Sequence, residues 1–190
     1  PARKWPLIVF LHGIGERGDD GLLQTEIGLG SAIRRHADWF PCIVVMPQCS
    51  EKGMWDKEFG SIDEAIARTE AEYTIDPSRV YLSGLSMGGY ATWIYGAAHA
   101  EHFAALLPIC GGGHVEDGPK LATVPIWAFH GDKDETVLPE QSRRMVEAVK
   151  KAGGKIWYTE YRDVSHNSWD KTYNDPKVIK WLLKQRKSAR

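Results

Sequence analysis

A hydroxyl, an imidazole and a carboxylate form a catalytic set when the imidazole can take the hydroxyl proton and the carboxylate can orient the imidazole. Three stretches of this chain supply such groups. Val80-Tyr-Leu-Ser-Gly84-Leu-Ser86-Met-Gly88-Gly89-Tyr90 contains a Gly-x-Ser-x-Gly pattern. His130-Gly-Asp132-Lys-Asp134-Glu135 brings carboxylates, and Arg162-Asp-Val-Ser-His166-Asn-Ser-Trp169 brings a histidine downstream of both. Turns of the Gly-x-Ser-x-Gly kind, set between a strand and a helix, take their partners in the order Ser, Asp or Glu, His.

Ser86 is the candidate nucleophile. A tight strand-to-helix turn holds its hydroxyl above the sheet edge, and Gly84 and Gly88 are needed where a side chain would meet neighbouring backbone. Ser83 competes by type but lies within the strand and lacks flanking glycines. By chemistry alone Asp134 and Asp132 are nearly equal candidates for the orienting acid, with Glu135 a distant third. His166 is the base. His36, His99, His102 and His114 read as helix-end or loop residues, and His130 as a structural residue closing a strand.

An oxyanion site needs N–H donors aimed at the charge that develops beside the serine. The loop after Pro6-Leu-Ile-Val-Phe-Leu-His12-Gly13-Ile14 and the residue after the serine are the two sources, which assigns the backbones of Ile14 and Met87. Gly13-Ile-Gly15-Glu-Arg-Gly18 also spells a dinucleotide fingerprint, but that motif requires the glycines to open a helix directly. Here Asp19-Asp20-Gly21 continues the loop, and Asp38 precedes its strand instead of ending one, so a dinucleotide site is not expected.

Positioning these groups requires a sheet. Leu7–Leu11, Cys42–Met46, Val80–Ser83, Ala104–Ile109, Ile126–His130 and Ile156–Tyr161 read as short strands, several apolar throughout, as in a parallel sheet covered on both faces. Between them lie helix signals. Ser61-Ile-Asp-Glu64 reads as a capping box opening a helix to Tyr73, and Asp76-Pro77-Ser78 as a turn into the next strand. Further helices are expected over Met87–Ala98, from Pro139 in a first turn to Gly153-Gly154, and over Pro176–Lys187. The Lys184–Lys187 charge run with Arg190 reads as a solvated helix end. The alternation predicts an α/β fold with a mostly parallel sheet flanked by helices.

Composition narrows the classes. At 190 residues and 43% apolar, the sequence suits one globular domain over 1–190. Its 24 basic and 25 acidic side chains nearly cancel, so no field recruits nucleic acid. No apolar run approaches the ~20 residues of a membrane span. Cys42, Cys49 and Cys110 match no zinc spacing or disulfide framework; Cys42 and Cys110 read as buried thiols, Cys49 as one that can be exposed. No metal and no cofactor are expected. Pro1 to Pro6 resembles neither a natural start nor a secretory signal, and reads as the beginning of a piece of a longer protein.

Taken together, Leu11-His-Gly-Ile-Gly-Glu-Arg-Gly18, Val45-Met-Pro-Gln48, Gly84-Leu-Ser-Met-Gly-Gly89, Pro108-Ile-Cys-Gly-Gly112, His130-Gly-Asp-Lys-Asp134 and His166-Asn-Ser-Trp169 resemble the α/β-hydrolase superfamily. The likeness is strongest to its dienelactone hydrolase-like and phospholipase/carboxylesterase branch, which includes predicted peptidases and polyhydroxybutyrate-depolymerase-like esterases. The resemblance implies that the final Asp of His-Gly-x-x-Asp is the acid, which selects Asp134. It implies an α/β-hydrolase fold lacking the usual N-terminal antiparallel strands. With only Cys110–Val124 after the fourth strand, it also implies no large lid and an open, shallow site. Relatives with an N-terminal immunoglobulin-like domain imply an accessory domain before Pro1, and the resemblance favours a secreted or periplasmic location.

The activity expected is hydrolysis of short-chain acyl or small aryl esters through an acyl-enzyme, with a small-molecule ester as partner. A prolyl-oligopeptidase-type peptidase, a feruloyl or acetyl-xylan esterase, and an inactive binding module are the alternatives. Trp55 and Trp169 are candidates for the substrate wall, with core packing the competing reading for each.

Overall fold

The computed structural model describes residues 3–187. In chain order the elements are β1 (Trp5–Leu11), α1 (Leu29–Arg35), β2 (Ile43–Val45), α2 (Phe59–Glu72), β3 (Ile75–Leu85), α3 (Met87–Ala98), β4 (Ala105–Ile109), α4 (Gly118–Leu121), β5 (Ile126–Gly131), α5 (Glu140–Lys151), β6 (Ile156–Tyr161), α6 (Ser168–Tyr173) and α7 (Pro176–Lys184). The strands form one sheet in the order β2-β1-β3-β4-β5-β6, and every pairing is parallel. All six lie where the apolar runs placed them.

The apolar runs are continuous because both faces are covered. Alternate residues of a strand point to opposite faces. Leu7, Val9 and Leu11 join a core with Ile62 and Ile66 of α2, Trp93 of α3 and Met145 of α5. Ile8 and Phe10 join the opposite core with Leu29 of α1, Tyr173 of α6 and Val178 of α7. Helices on both faces therefore bury the sheet, and the loops leaving its C-terminal edge are free to carry chemistry.

Several local expectations change. The helix signal at Ser61 is not a capping box: α2 begins at Phe59, and the Ser61 hydroxyl donates to the Glu58 carbonyl at 2.7 Å. Ser61 is thus inside the first turn, where its oxygen caps nothing. Asp76-Pro77-Ser78 is a bulge within β3, since Trp5 pairs with Ile75 and Leu7 with Val80. The turn chemistry survives locally, with Asp76 accepting from the Ser78 N–H at 3.0 Å. Pro139 is the cap preceding α5, not a residue of its first turn. Gly153, at φ 81°, closes that helix in the left-handed conformation.

The final helix stops at Lys184. Lys187 instead donates to the carbonyls of Glu101 and His102, and Arg186 pairs with Asp76 at 3.3 Å. That end of the charge run is tied to the body of the fold and is not a solvated helix end. Pro1 and Arg190 lie outside the described residues. The Cys110–Val124 connection holds a 3₁₀ turn and α4. No helix among the described residues is long and apolar enough to cross a membrane.

The ends of β1, β3 and β4 are packed backbone to backbone. A Cβ on Gly88 would lie 1.9 Å from the Leu11 carbonyl oxygen, and one on Gly84 would lie 2.3 Å from that of Gly88. Gly88→Ala is expected to destabilise the fold by about 3 kcal/mol, read as a lower urea midpoint with an unchanged m-value. An unaltered midpoint would show that this approach is not required.

Candidate active site

Ser86 lies between the end of β3 and the start of α3 with φ 54° and ψ −117°, a region that costs an L-residue roughly 1–3 kcal/mol. The conformation is held by its neighbours. Ser86 N–H donates to the Ile109 carbonyl at 3.0 Å, and its own carbonyl accepts from Tyr90 N–H at 3.0 Å. Gly89 permits this contact, since a Cβ there would lie 2.2 Å from the Ile109 oxygen.

Two further loops bring their groups to this turn. His166 Nε2 is 2.9 Å from Ser86 Oγ, and its Nδ1 is 2.7 Å from Asp134 Oδ2. The Asp134 side chain is completely buried, whereas that of His166 keeps 22% of its surface in solvent. The other carboxylate oxygen of Asp134 accepts the backbone N–H groups of Thr136 and Val137 at 3.0 and 2.9 Å, which fixes the carboxylate plane. With Nδ1 donating to Asp134, Nε2 is left as an acceptor facing the hydroxyl, the arrangement general-base activation requires.

The competing residues are placed elsewhere. Ser83 is buried, donating to the Leu107 carbonyl at 2.9 Å with its oxygen 2.6 Å from Tyr173 Oη. Glu135 is exposed, and Asp132 Oδ1 has no hydrogen-bond partner. The glycines after β1 lead into a 3₁₀ turn over Ile14–Glu16, with no α-helix before Leu29. Asp38 sits in a later 3₁₀ turn, Ala37–Trp39, ahead of β2.

The loop after β1 is pinned by residues whose part in the site the sequence reading did not bring out. Cys49 N–H donates to His12 Nε2 at 2.9 Å, so the ring proton is on Nδ1, which donates to the Gly13 carbonyl at 2.6 Å. In a trans peptide the N–H points opposite to the C=O. Holding the Gly13 oxygen therefore also fixes the direction of the Ile14 N–H. Glu16 accepts the Gly13 N–H at 2.9 Å on the other side. Ile14 and Met87 begin their turn and helix, and neither N–H has an acceptor within them. Only the His12-Gly13 dipeptide at the end of a buried strand hinted at this pinning.

Trp55 is 1% exposed, and its Nε1 donates to the His12 carbonyl at 3.1 Å. It is a core residue behind the loop, so a place on the substrate wall is corrected. Trp169 is half-buried, its ring 5.3 Å from that of His166 and perpendicular to it. Cys49, which in sequence could be exposed, is also fully buried; burial pushes its thiol up to about 12.

Cys110, Asp134 and His166 bring ligand-type atoms within 4.8 Å of one another. Their chemistry does not suit a metal. The Asp134 and His166 atoms are already bonded to each other, and burial pushes the Cys110 thiol up to about 12, keeping it protonated.

A parallel sheet of this order with a strained serine between strand and helix defines the α/β-hydrolase class. The profile of the phospholipase/carboxylesterase family matches residues 31–180, and the chain belongs to that family. A bifunctional acetylxylan esterase/xylanase of Neocallimastix patriciarum is 34% identical over 147 residues, 74% of this chain and 21% of that protein. Poly(3-hydroxyalkanoate) depolymerase C of Paucimonas lemoignei is 29% identical over 190 residues, 75% of this chain and 44% of that protein. A crystal structure of a thermostable esterase superposes with a TM-score of 0.92 at 38% identity, covering 98% of this chain and 56% of that one. The chain thus spans well under two thirds of the length of each.

Burial lowers the proton affinity of His12 and of His130, which lies against Asp134, below the ordinary value of 6.5. The unfolded chain takes up these protons near pH 6.5 while the folded chain does not, so folding stability falls as pH drops through that value. Denaturant midpoints are expected to decline between pH 7.5 and 5, and to decline less steeply in His130→Gln. Parallel curves would contradict a neutral, buried His130.

Proposed function

We propose that the chain hydrolyses carboxylic esters, with Ser86, His166 and Asp134 as its catalytic triad. The observation that carries this reading is the continuous relay from Ser86 Oγ to His166 Nε2 at 2.9 Å and from His166 Nδ1 to Asp134 at 2.7 Å.

Ser86 Oγ attacks the acyl carbon as its proton passes to His166 Nε2, and the carbonyl electron pair moves onto oxygen. The N–H groups of Ile14 and Met87 receive that oxyanion, each donor worth roughly 10²–10³ in rate. Asp134 stabilises the imidazolium. Collapse re-forms the carbonyl and breaks the bond to the alcohol oxygen, which leaves with the proton from His166 Nε2. Water then repeats the sequence on the acyl-enzyme, releasing the acid and restoring Ser86. The reading requires only the chain's own groups, folded as one catalytic unit.

The substrates proposed are short-chain acyl or small aryl esters. The names of the bifunctional acetylxylan esterase/xylanase and of the thermostable esterase support ester cleavage. Ile14 and Leu138 support this substrate class, apolar side chains standing 54% and 59% exposed on the loops that follow β1 and β5.

The chain is expected to turn over p-nitrophenyl acetate and butyrate and to leave p-nitroanilides essentially untouched. A fluorophosphonate should add one adduct on the peptide containing Ser86, detected by mass. Ser86→Ala should lower kcat by about 10⁴-fold or more with the fold intact. Labelling of a different serine, or a fully active Ser86→Ala, would overturn the reading.

A further inference from the structure

Asp134 Oδ2 has a second imidazole beside it. His130, the last-but-one residue of β5, is completely buried, and its Nε2 lies 3.1 Å from Asp134 Oδ2 and 2.8 Å from the Val137 carbonyl oxygen. A carbonyl oxygen carries no proton, so the short contact to Val137 requires the proton to be on His130 Nε2. That single N–H is shared with Asp134. The tautomer is therefore set by the backbone and does not depend on the ionisation of the acid.

The other side of the ring is consistent with this. His130 Nδ1 lies 2.7 Å from Ser142 Oγ, which is also 2.9 Å from the Gly111 carbonyl. The Gly111 carbonyl carries no proton, so the single Ser142 proton serves that contact and is shared with the unprotonated Nδ1. Burial favours that neutral ring. The chain Ser142–His130–Asp134–His166–Ser86 then runs from the first turn of α5 to the tip of the strained turn, with each intervening group held by a hydrogen bond on both sides.

We propose that His130 is a positioning residue for the ester hydrolysis: through its Nε2–H it holds Asp134 Oδ2 and withdraws part of the carboxylate's charge from His166. The inference rests on the triad reading above. A carboxylate that loses a donor presents more negative charge to its remaining partner, and an imidazolium next to more negative charge gives up its proton less readily. His130 thus keeps the base free of its proton at lower pH. The other titratable groups near the pair are Tyr90 on α3, Cys110 after β4 and Glu160 on β6. All three are retained in the His130 variants, and Glu160, which feels any charge on His130, is held chiefly by Arg143.

His130→Phe removes the donor at similar volume, and His130→Gln keeps an amide N–H at the Nε2 position. In His130→Phe the acid limb of the kcat/KM profile is expected to rise by about one pH unit, with kcat reduced and KM little changed. In His130→Gln the limb should return to the parent position. A limb that stays in place in a folded, less active His130→Phe would reduce His130 to a packing residue. Should neither variant fold, ¹⁵N-histidine NMR of the parent chain decides: a proton on His130 Nε2 throughout the active range supports the inference, and the Nδ1–H tautomer overturns it. Failure here leaves fluorophosphonate labelling at Ser86 intact, whereas failure of the triad reading appears as labelling elsewhere.

Discussion

The structure depends on how closely three backbones approach one another at the C-terminal edge of the sheet. Leu11, Gly88 and Ile109 belong to β1, α3 and β4, and only glycines at 84, 88 and 89 let them meet without collision. This contact keeps Ser86 at φ 54°, because relaxing the residue would require moving a strand end on either side. The roughly 1–3 kcal/mol of local strain is small against the two cores that hold those strands. A rigid sheet buried on both faces is therefore the means by which an unfavourable backbone angle persists at the site.

The same packing decides which groups can be mobile. The acid is fully buried and fixed by two backbone N–H groups and two rings. The loop carrying Ile14 is fixed from behind by His12 and Glu16, and His12 is backed in turn by Cys49 and Trp55. His166 and Ser86 are the members of the proposed relay that retain solvent contact, as groups that meet substrate and water would. Hydrogen bonds and burial thus accumulate behind the proposed reacting atoms, as preorganisation requires.

Much of this was legible in the sequence because it is written in local patterns. Continuous apolar runs mark strands covered twice, and Gly84, Gly88 and Gly89 mark a turn where no side chain fits. The relay could be ordered because each member follows a different strand. What was not legible depends on long-range packing. Trp55 looks the same in sequence whether it lines a pocket or backs a loop, and its indole bond to the His12 carbonyl spans 43 residues. Cys49 reads as accessible because its burial comes from elements distant in the chain. Asp76-Pro77-Ser78 carries turn chemistry that the pairing of β3 with β1 absorbs into a bulge, and the cap signal at Ser61 is displaced by an earlier start of α2.

His12 and His130 show how far an identical local signal can diverge. Each stands at the end of a buried strand and precedes glycine, and in sequence only His130 reads as a structural histidine. In the fold their tautomers are opposite and each is dictated by backbone: an N–H from Cys49 makes Nε2 of His12 an acceptor, and a carbonyl from Val137 makes Nε2 of His130 a donor. One ring consequently donates to the Gly13 oxygen and orients the N–H that follows, while the other donates toward Asp134. Each ring must be neutral for its other nitrogen to accept, from Cys49 N–H in His12 and from the Ser142 hydroxyl in His130. Burial, which lowers the proton affinity of each, is therefore a condition for these hydrogen bonds and not merely a by-product of packing.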